Sequence, residues 1–108
     1  KDDFKIMKEE PFGPLTPILA FKDFDDVVKR ANNQVAGLAA YVCTGSIELA
    51  NKTSESLETG MVAVNTPFIS NAETPFGGIK QSGYGREGGS MGIKDYLNIK
   101  YTHLGIIN

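Results

Sequence analysis

Short apolar segments alternate with amphipathic ones along the first two-thirds of the chain. Residues 17–21 form an apolar run bounded by turn residues, which predicts a buried strand. Residues 38–44 are almost wholly apolar, as is typical of a strand covered on both faces, and residues 61–65 predict a third strand. Between these runs, residues 24–31 and 46–57 carry apolar side chains at helical spacing. The pattern therefore predicts alternating strands and helices.

Residues at the helix ends agree with these boundaries. Asp23 and Ser46 are good N-caps, because their side-chain oxygens can accept hydrogen bonds from free N–H groups of the first turn. Asn32 and Asn33 provide a stop for the first helix, and Gly60 stands where a left-handed residue is expected after the second. Short connections in the order strand, helix, strand, helix, strand predict two right-handed crossovers and an α/β fold with a parallel βαβαβ layer.

The chain changes character after residue 65. Seven of the twelve glycines fall between residues 77 and 92, and no amphipathic period continues through them. We predict a long ordered loop here, because large side chains such as Phe68, Phe76 and Tyr84 are interleaved with small residues. Residues 96–103 alternate large apolar with polar side chains, which predicts a carboxyl-terminal strand with one covered face.

Length and charge narrow the classes of function. The 108 residues are enough for one domain, and 11 basic against 13 acidic residues give a net charge of −2 without a basic run. We therefore expect no nucleic-acid partner. No apolar run approaches the roughly 20 residues that cross a bilayer, which indicates a cytosolic setting without a membrane partner. The polar start at a lysine leads us to expect part of a longer protein.

The single cysteine and the single histidine carry little chemistry by themselves. Cys43 lies inside an apolar run without a neighbouring histidine or acid, so we predict a small buried core residue. His103 lies in the predicted last strand, where a lone histidine is usually a surface or interface residue. Together they provide too few ligands for a structural zinc site, and we expect no metal.

Residues 83–88 read Gly-Tyr-Gly-Arg-Glu-Gly and match the G-x-G-x-x-G pattern of dinucleotide-binding loops. That fingerprint needs a strand before the first glycine and a helix that opens at the last, because the helix N–H groups hold the pyrophosphate. The flanking sequence predicts neither. We interpret these glycines as positions of close backbone packing or positive φ.

The acidic segment Glu9-Glu10-Pro11-Phe12 allows two interpretations. The simpler one is a solvated acidic turn that leads into a strand. Alternatively, Glu10 accepts hydrogen bonds from sugar hydroxyls beside the ring of Phe12, a role that carboxylates have in dinucleotide enzymes.

Four segments together resemble the NAD(P)-dependent aldehyde dehydrogenase family, in the family's order and spacing: residues 10–14 (EPFGP), residues 37–44, residues 60–65 (GMVAVN) and residues 75–88 (PFGGIKQSGYGREG). The resemblance covers nearly the whole chain but only the family's carboxyl-terminal part. It implies that residues 1–97 are part of the catalytic domain and that residues 98–108 are an oligomerisation strand and tail.

The resemblance also implies roles for particular residues. NAD or NADP would be the cofactor, with Glu10 at the nicotinamide ribose and Phe12 beside the nicotinamide end. Phe68, Ser70 and Phe76 would line the mouth of the aldehyde pocket. The nucleophilic cysteine of the family, which forms a thiohemiacetal, would lie upstream, so the resemblance implies no catalytic residue in this chain and no activity of the chain alone.

Within the family, residues 68–71 and 95–101 are most similar to succinate-semialdehyde dehydrogenases, in which the serine that matches Ser70 helps to bind the distal carboxylate. The resemblance thus predicts a semialdehyde as substrate and a homo-oligomer joined through the last strand. Two other functions stay open on the residues alone: a non-catalytic α/β module that binds a protein partner, and a small nucleotide-binding domain.

Overall fold

A computed structural model describes residues 3–107. In this range the helices are α1 (Phe24–Asn32) and α2 (Ile47–Ser56), and the strands are β1 (Ala36–Gly37), β2 (Ala39–Val42), β3 (Met61–Val64) and β4 (Ile79–Lys80). Two 3₁₀ turns lie at Lys5–Met7 and Gly92–Tyr96. No helix in the described range is long and apolar enough to span a membrane.

The centre of the fold is one βαβ unit. β2 and β3 are parallel, with Ala39 opposite Met61 at one end of the register, and α2 is the crossover between them. Ala50 of α2 and both Met61 and Ala63 of β3 are the hydrophobic residues that are buried within the described range. The parallel pairing predicted for this part of the chain is therefore confirmed, and its small core lies between α2 and the two strands.

Both helices begin at the predicted N-caps. The Asp23 carboxylate accepts a hydrogen bond from Asp26 N at 2.9 Å, and the Ser46 hydroxyl accepts one from Leu49 N at 3.2 Å. Each bond satisfies a donor that the first turn of a helix leaves free. The first helix ends at Asn32, as the paired asparagines predicted.

Polar contacts join the carboxyl ends of the two helices to β4. The Asn32 side chain donates to Ser56 O and accepts from Glu58 N, both at 2.8 Å. Lys80 Nζ donates to Asn32 O at 2.7 Å and lies 2.8 Å from the Glu58 carboxylate. This cluster fixes β4, and with it the start of the glycine-rich segment (residues 77–92), against the helices.

Gly60 does not have the left-handed conformation that the sequence predicted. The helix has already ended at Ser56, and its C-cap Leu57 is extended, so the chain needs no left-handed reversal at Gly60. Glycine is required there for another reason. A Cβ on Gly60 would overlap the carbonyl oxygen of Gly77 and lie 2.6 Å from Gly78 Cα. The base of β3 and the glycine-rich segment are therefore in direct backbone contact.

The glycine-rich segment contains a strand that the sequence did not predict. β1 and β4 form an antiparallel pair, with Ala36 opposite Lys80 and Gly37 opposite Ile79. On either side of β4, Phe76 and Glu87 exchange two backbone hydrogen bonds of 2.7 Å. The first pairing attaches the segment to β1 and the second closes the loop, in agreement with the predicted ordered loop.

Two predicted strands, at residues 17–21 and 96–103, are absent from the described range. The first has no regular structure, and the second begins with the end of a 3₁₀ turn and continues without a strand. A strand needs a neighbour for its backbone hydrogen bonds, and no described strand pairs with either segment. The predicted βαβαβ layer is therefore reduced to one parallel pair and one antiparallel pair.

Cys43 is exposed, which contradicts its predicted burial. β2 ends at Val42, so Cys43 lies beyond the last paired residue. The strand itself is not covered on both faces, since Tyr41 is 57% exposed. The apolar sequence predicted that both faces of this strand are covered by other residues, but residues 3–107 do not cover both.

The chain is elongated, with extents of 74 × 33 × 26 Å and a Cα radius of gyration of 19.3 Å. A compact domain of this length would have a radius of gyration of about 13 Å. Large apolar side chains stand out from the surface at both ends, among them Phe12, Ile18, Ile99, Leu104 and Ile106. Apolar surface of this extent is typical of a face that another surface covers.

Candidate functional site

A cleft of about 480 Å³ lies between β3 and the segment of residues 66–75, which we call the cleft segment. One wall consists of Gly60 and β3, and the other consists of seven residues of the cleft segment: Thr66, Phe68, Ile69, Ser70, Asn71, Thr74 and Pro75. None of the lining residues carries a charge. The chain thus provides an apolar floor, three hydroxyls and one amide.

Asn65 turns the chain out of β3 into the cleft segment. Its φ is 56°, in the left-handed region that asparagine adopts more readily than most residues. Asn65 N donates to Val42 O at 2.8 Å, while Asn65 Oδ1 accepts from Thr44 N at 2.9 Å and Nδ2 donates to Thr44 O at 2.8 Å. The side chain therefore replaces the next backbone rung between β2 and β3.

The far end of the cleft segment is held by a second asparagine. Asn71 Oδ1 accepts hydrogen bonds from Glu73 N at 2.9 Å and Thr74 N at 3.0 Å, an arrangement that turns the chain locally. Gly89 N donates to Ala72 O at 3.0 Å and connects this turn to the glycine-rich segment. Both ends of the cleft segment are therefore fixed by hydrogen bonds.

The structure brings together two of the three predicted substrate residues. Phe68, which is 84% exposed, and Ser70 both line the cleft. Phe76 does not line it; its side chain is half-buried, and its backbone is paired with Glu87. The cleft thus contains one aromatic ring and one hydroxyl from the predicted set.

The two predicted cofactor residues lie elsewhere. Glu10 and Phe12 are exposed on the amino-terminal turn, Phe12 almost completely at 97%, and neither lines the cleft. Pro11 lies between them, and its carbonyl accepts a hydrogen bond from Gly13 N at 3.0 Å. Their roles stay predictions, because no contact within residues 3–107 tests them.

The pattern of residues 83–88 has none of the surroundings of a phosphate-binding loop. Gly83, Gly85 and Gly88 all have positive φ, and a Cβ on Gly88 would lie 2.8 Å from Thr74 O. No helix opens at Gly88; the next element is the 3₁₀ turn at Gly92. Arg86 holds the loop by donating to Gly78 O and Gly85 O, both at 2.7 Å. These contacts agree with the interpretation of backbone packing and positive φ.

Sequence reasoning did not single out Asn65 and Asn71. For Asn65, the signal was an asparagine placed directly after an apolar strand and followed by Thr66 and Pro67. For Asn71, it was an asparagine two and three residues before the N–H groups of Glu73 and Thr74. Such asparagines commonly accept hydrogen bonds from the backbone ahead of them.

The sequence and the fold now define a class of protein. The sequence profile of the aldehyde dehydrogenase family matches residues 1–102. The chain belongs to the aldehyde dehydrogenase family. It spans about a fifth of the length of the curated relatives that it matches.

Three of these relatives are enzymes named for particular aldehydes. The chain is 48% identical over 107 residues to the mitochondrial succinate-semialdehyde dehydrogenase of Arabidopsis thaliana, which covers 99% of this chain and 20% of the relative. It is 51% identical over 102 residues to the NADP(+)-dependent succinate-semialdehyde dehydrogenase GabD of Escherichia coli K12, covering 94% and 21%. It is 52% identical over 101 residues to the 3-sulfolactaldehyde dehydrogenase of Pseudomonas putida, covering 94% and 21%.

Solved structures give the same relationship in three dimensions. An NADP-dependent enzyme of E. coli superposes with a TM-score of 0.91 at 49% identity, over 98% of this chain and 22% of the other. An aldehyde dehydrogenase of Bacillus cereus, solved as an NAD+ complex, superposes with a TM-score of 0.89 at 44% identity, over 93% and 20%. The fold of this chain is therefore that of a part of these enzymes.

Proposed function

We propose that the chain is the carboxyl-terminal part of an NAD(P)-dependent aldehyde dehydrogenase that oxidises a semialdehyde to the carboxylic acid. The observation that carries the proposal is the cleft lined by Phe68 and Ser70, in a chain about half identical to enzymes named for aldehydes with a distal acidic group. Succinate semialdehyde is the substrate we favour. We also propose a cytosolic setting, although a plant relative is named as mitochondrial.

In the proposed enzyme, different residues of the cleft bind different parts of the substrate. Val62, Val64 and Phe68 provide apolar contact for the carbon chain of a semialdehyde. Ser70 can donate one hydrogen bond to the distal carboxylate, and such a neutral donor contributes about 1 kcal/mol. Because no lining residue is charged, the charge of the carboxylate has to be met by cations elsewhere in the complete enzyme. In this proposal Ser70 orients the carboxylate and arginines outside this chain neutralise it.

The chain contributes no nucleophile to the proposed reaction. Cys43, its only cysteine, lies beyond the end of β2 and does not line the cleft. The thiolate that attacks the aldehyde and forms the thiohemiacetal would come from an upstream cysteine in the complete enzyme. This chain would then shape the pocket, and we expect no turnover from it alone.

Residues near the amino terminus fit the nicotinamide end of a bound cofactor. The Glu10 carboxylate is exposed, so its two oxygens can accept hydrogen bonds from ribose hydroxyls. The ring of Phe12 is 97% exposed two residues away, which leaves a face free for an aromatic group. The bound cofactor would supply the hydride acceptor, and the part of Glu10 and Phe12 would be to hold it in place.

The last residues fit an arm that joins a neighbouring subunit. Leu97 is extended, and Ile99, Leu104 and Ile106 beyond it are at least 87% exposed. An extended segment with free backbone groups and apolar side chains can complete another subunit's sheet. We propose that residues 98–108 do this in a homo-oligomer.

A non-catalytic binding module is the rival function, since exposed apolar surface also suits a docking surface. Two measurements separate the dehydrogenase from this module and from a third candidate, a small nucleotide-binding domain. Aldehyde-dependent reduction of NAD or NADP by the complete enzyme is required only by the dehydrogenase proposal. Equilibrium dialysis of the isolated chain against NAD, ADP and ATP would detect binding only if the chain were a small nucleotide-binding domain.

Ser70→Ala in the complete enzyme tests the substrate proposal. We expect the KM for succinate semialdehyde to rise roughly two- to tenfold, the equivalent of one neutral hydrogen bond, while the KM for an uncharged aldehyde of similar length changes little. Ser90→Ala is the matched control, because Ser90 is exposed and lies outside the cleft. Equal effects of Ser70→Ala on both substrates would reject a role for Ser70 toward the carboxylate.

A further inference from the structure

Asn65 lies at the point where the chain leaves β3, which is one wall of the cleft, and enters the cleft segment, which is the other. Up to Asn65 N, which donates to Val42 O, the chain is paired with β2; after it, the cleft segment leaves the sheet. Among the described residues other than glycine, only Asn65 and Lys80 have positive φ. The conformation of Asn65 therefore sets the direction in which the cleft segment departs.

Two hydrogen bonds keep Asn65 in this conformation. Its amide group both accepts from Thr44 N and donates to Thr44 O, at 2.9 and 2.8 Å. A side chain that uses its acceptor and its donor on one residue fixes both the distance and the rotation of the chain relative to β2. Aspartate would lack the donor for Thr44 O, and glycine would lack both groups.

The residues after Asn65 are stiff enough to transmit this direction. Pro67 has a fixed φ, and a residue that precedes proline, as Thr66 does, is restricted to extended conformations. Thr66 Oγ1 also accepts a hydrogen bond from Phe68 N at 3.2 Å. The position of Phe68, and of Ser70 two residues later, is therefore coupled to the side chain of Asn65.

We propose that Asn65 is a positioning residue that sets the separation between β3 and the cleft segment, and so determines how well Ser70 reaches the distal carboxylate of the substrate. Asn65 acts through Ser70 and does not contact the substrate. The inference rests on the proposed function, since it concerns selectivity for a semialdehyde over an uncharged aldehyde.

Asn65→Gly in the complete enzyme is the main test, because glycine tolerates φ of 56° and removes only the two bonds to Thr44. We expect the ratio of KM values, succinate semialdehyde over the uncharged aldehyde, to rise roughly two- to tenfold. Adding Ser70→Ala to Asn65→Gly should raise the ratio no further than Ser70→Ala does alone, because both changes remove the same contact. Additive effects, or equal changes of KM for both substrates, would overturn the inference.

Pro67→Gly is the second variant, in case Asn65→Gly does not fold. It keeps both bonds to Thr44 but loosens the connection to the cleft segment, so it should raise the same KM ratio. If Ser70→Ala raises the ratio but Asn65→Gly and Pro67→Gly do not, the substrate proposal stands and the role of Asn65 is rejected. If Ser70→Ala has no selective effect, the substrate proposal itself fails, and with it the inference.

Discussion

Gly60→Ala tests the contact between the base of β3 and the glycine-rich segment. The new Cβ would overlap Gly77 O and lie 2.6 Å from Gly78 Cα, and both neighbours are backbone atoms. They cannot yield easily, because Gly78 is buried and its carbonyl is bonded to Arg86 at 2.7 Å. The substitution therefore forces β3 and the segment apart.

Two opposing effects decide whether Gly60→Ala raises or lowers the free energy of unfolding. Alanine restricts the unfolded chain more than glycine, which favours the folded state by up to about 1 kcal/mol, and Gly60 has no positive φ that would forbid alanine. Overpacking costs roughly 1–3 kcal/mol, and contacts with backbone on two sides place Gly60 at the upper end. We expect a net loss of about 2 kcal/mol in local stability.

Amide hydrogen exchange in the complete enzyme measures this loss where it occurs. A loss of about 2 kcal/mol corresponds to roughly thirtyfold faster exchange of the β3 and β4 amides that open with this contact. Gly45→Ala is the matched control, since a Cβ there meets nothing within 4 Å and its φ is not positive. Equal protection of β3 in Gly60→Ala and Gly45→Ala would show that the close contact does not exist in the folded enzyme.

Two further predictions concern the proposed enzyme. Glu10→Gln should lower the rate of hydride transfer, measured in single-turnover experiments, because a neutral amide accepts ribose hydrogen bonds less strongly than a carboxylate. Glu9→Gln is the control: it removes the same charge at the neighbouring position, where Glu9 pairs with Lys5 at 3.3 Å on the surface. An equal loss of rate in both variants would contradict a specific role of Glu10. Deletion of residues 98–108 should convert the proposed homo-oligomer to smaller species in sedimentation experiments. An unchanged mass of the oligomer would contradict the proposed role of these residues in joining subunits.

Local signals in the sequence were sufficient where the chain supplies its own partner. The caps at Asp23 and Ser46 depend on N–H groups three residues away, so sequence alone predicted both helix starts. The parallel pairing of β2 and β3 followed from the short crossover through α2. The resemblance placed Phe68, Ser70 and Phe76 at the mouth of a pocket; Phe68 and Ser70 line the cleft, Phe76 does not, and the role of all three toward a substrate stays a prediction.

Features that depend on distant partners could not be predicted. The apolar run at residues 17–21 and the alternating pattern at residues 96–103 are strand-like sequences, but strand formation needs a neighbouring backbone that residues 3–107 do not provide. β1 and β4 are two residues long, too short for any periodicity to indicate them. The contact that requires Gly60 joins residues 17 and 18 positions apart, which no local pattern reveals.

The neutrality of the cleft has a consequence for redesign of the proposed enzyme. In the proposed enzyme, apolar contacts that measure the length of a substrate would come from this stretch of polypeptide, whereas the positive charge that attracts its acidic group would come from another. The two preferences can then be altered separately. Exchanging the other residues of 66–75 while keeping Asn65 and Ser70 should shift preference between shorter and longer semialdehydes without weakening attraction for the anion.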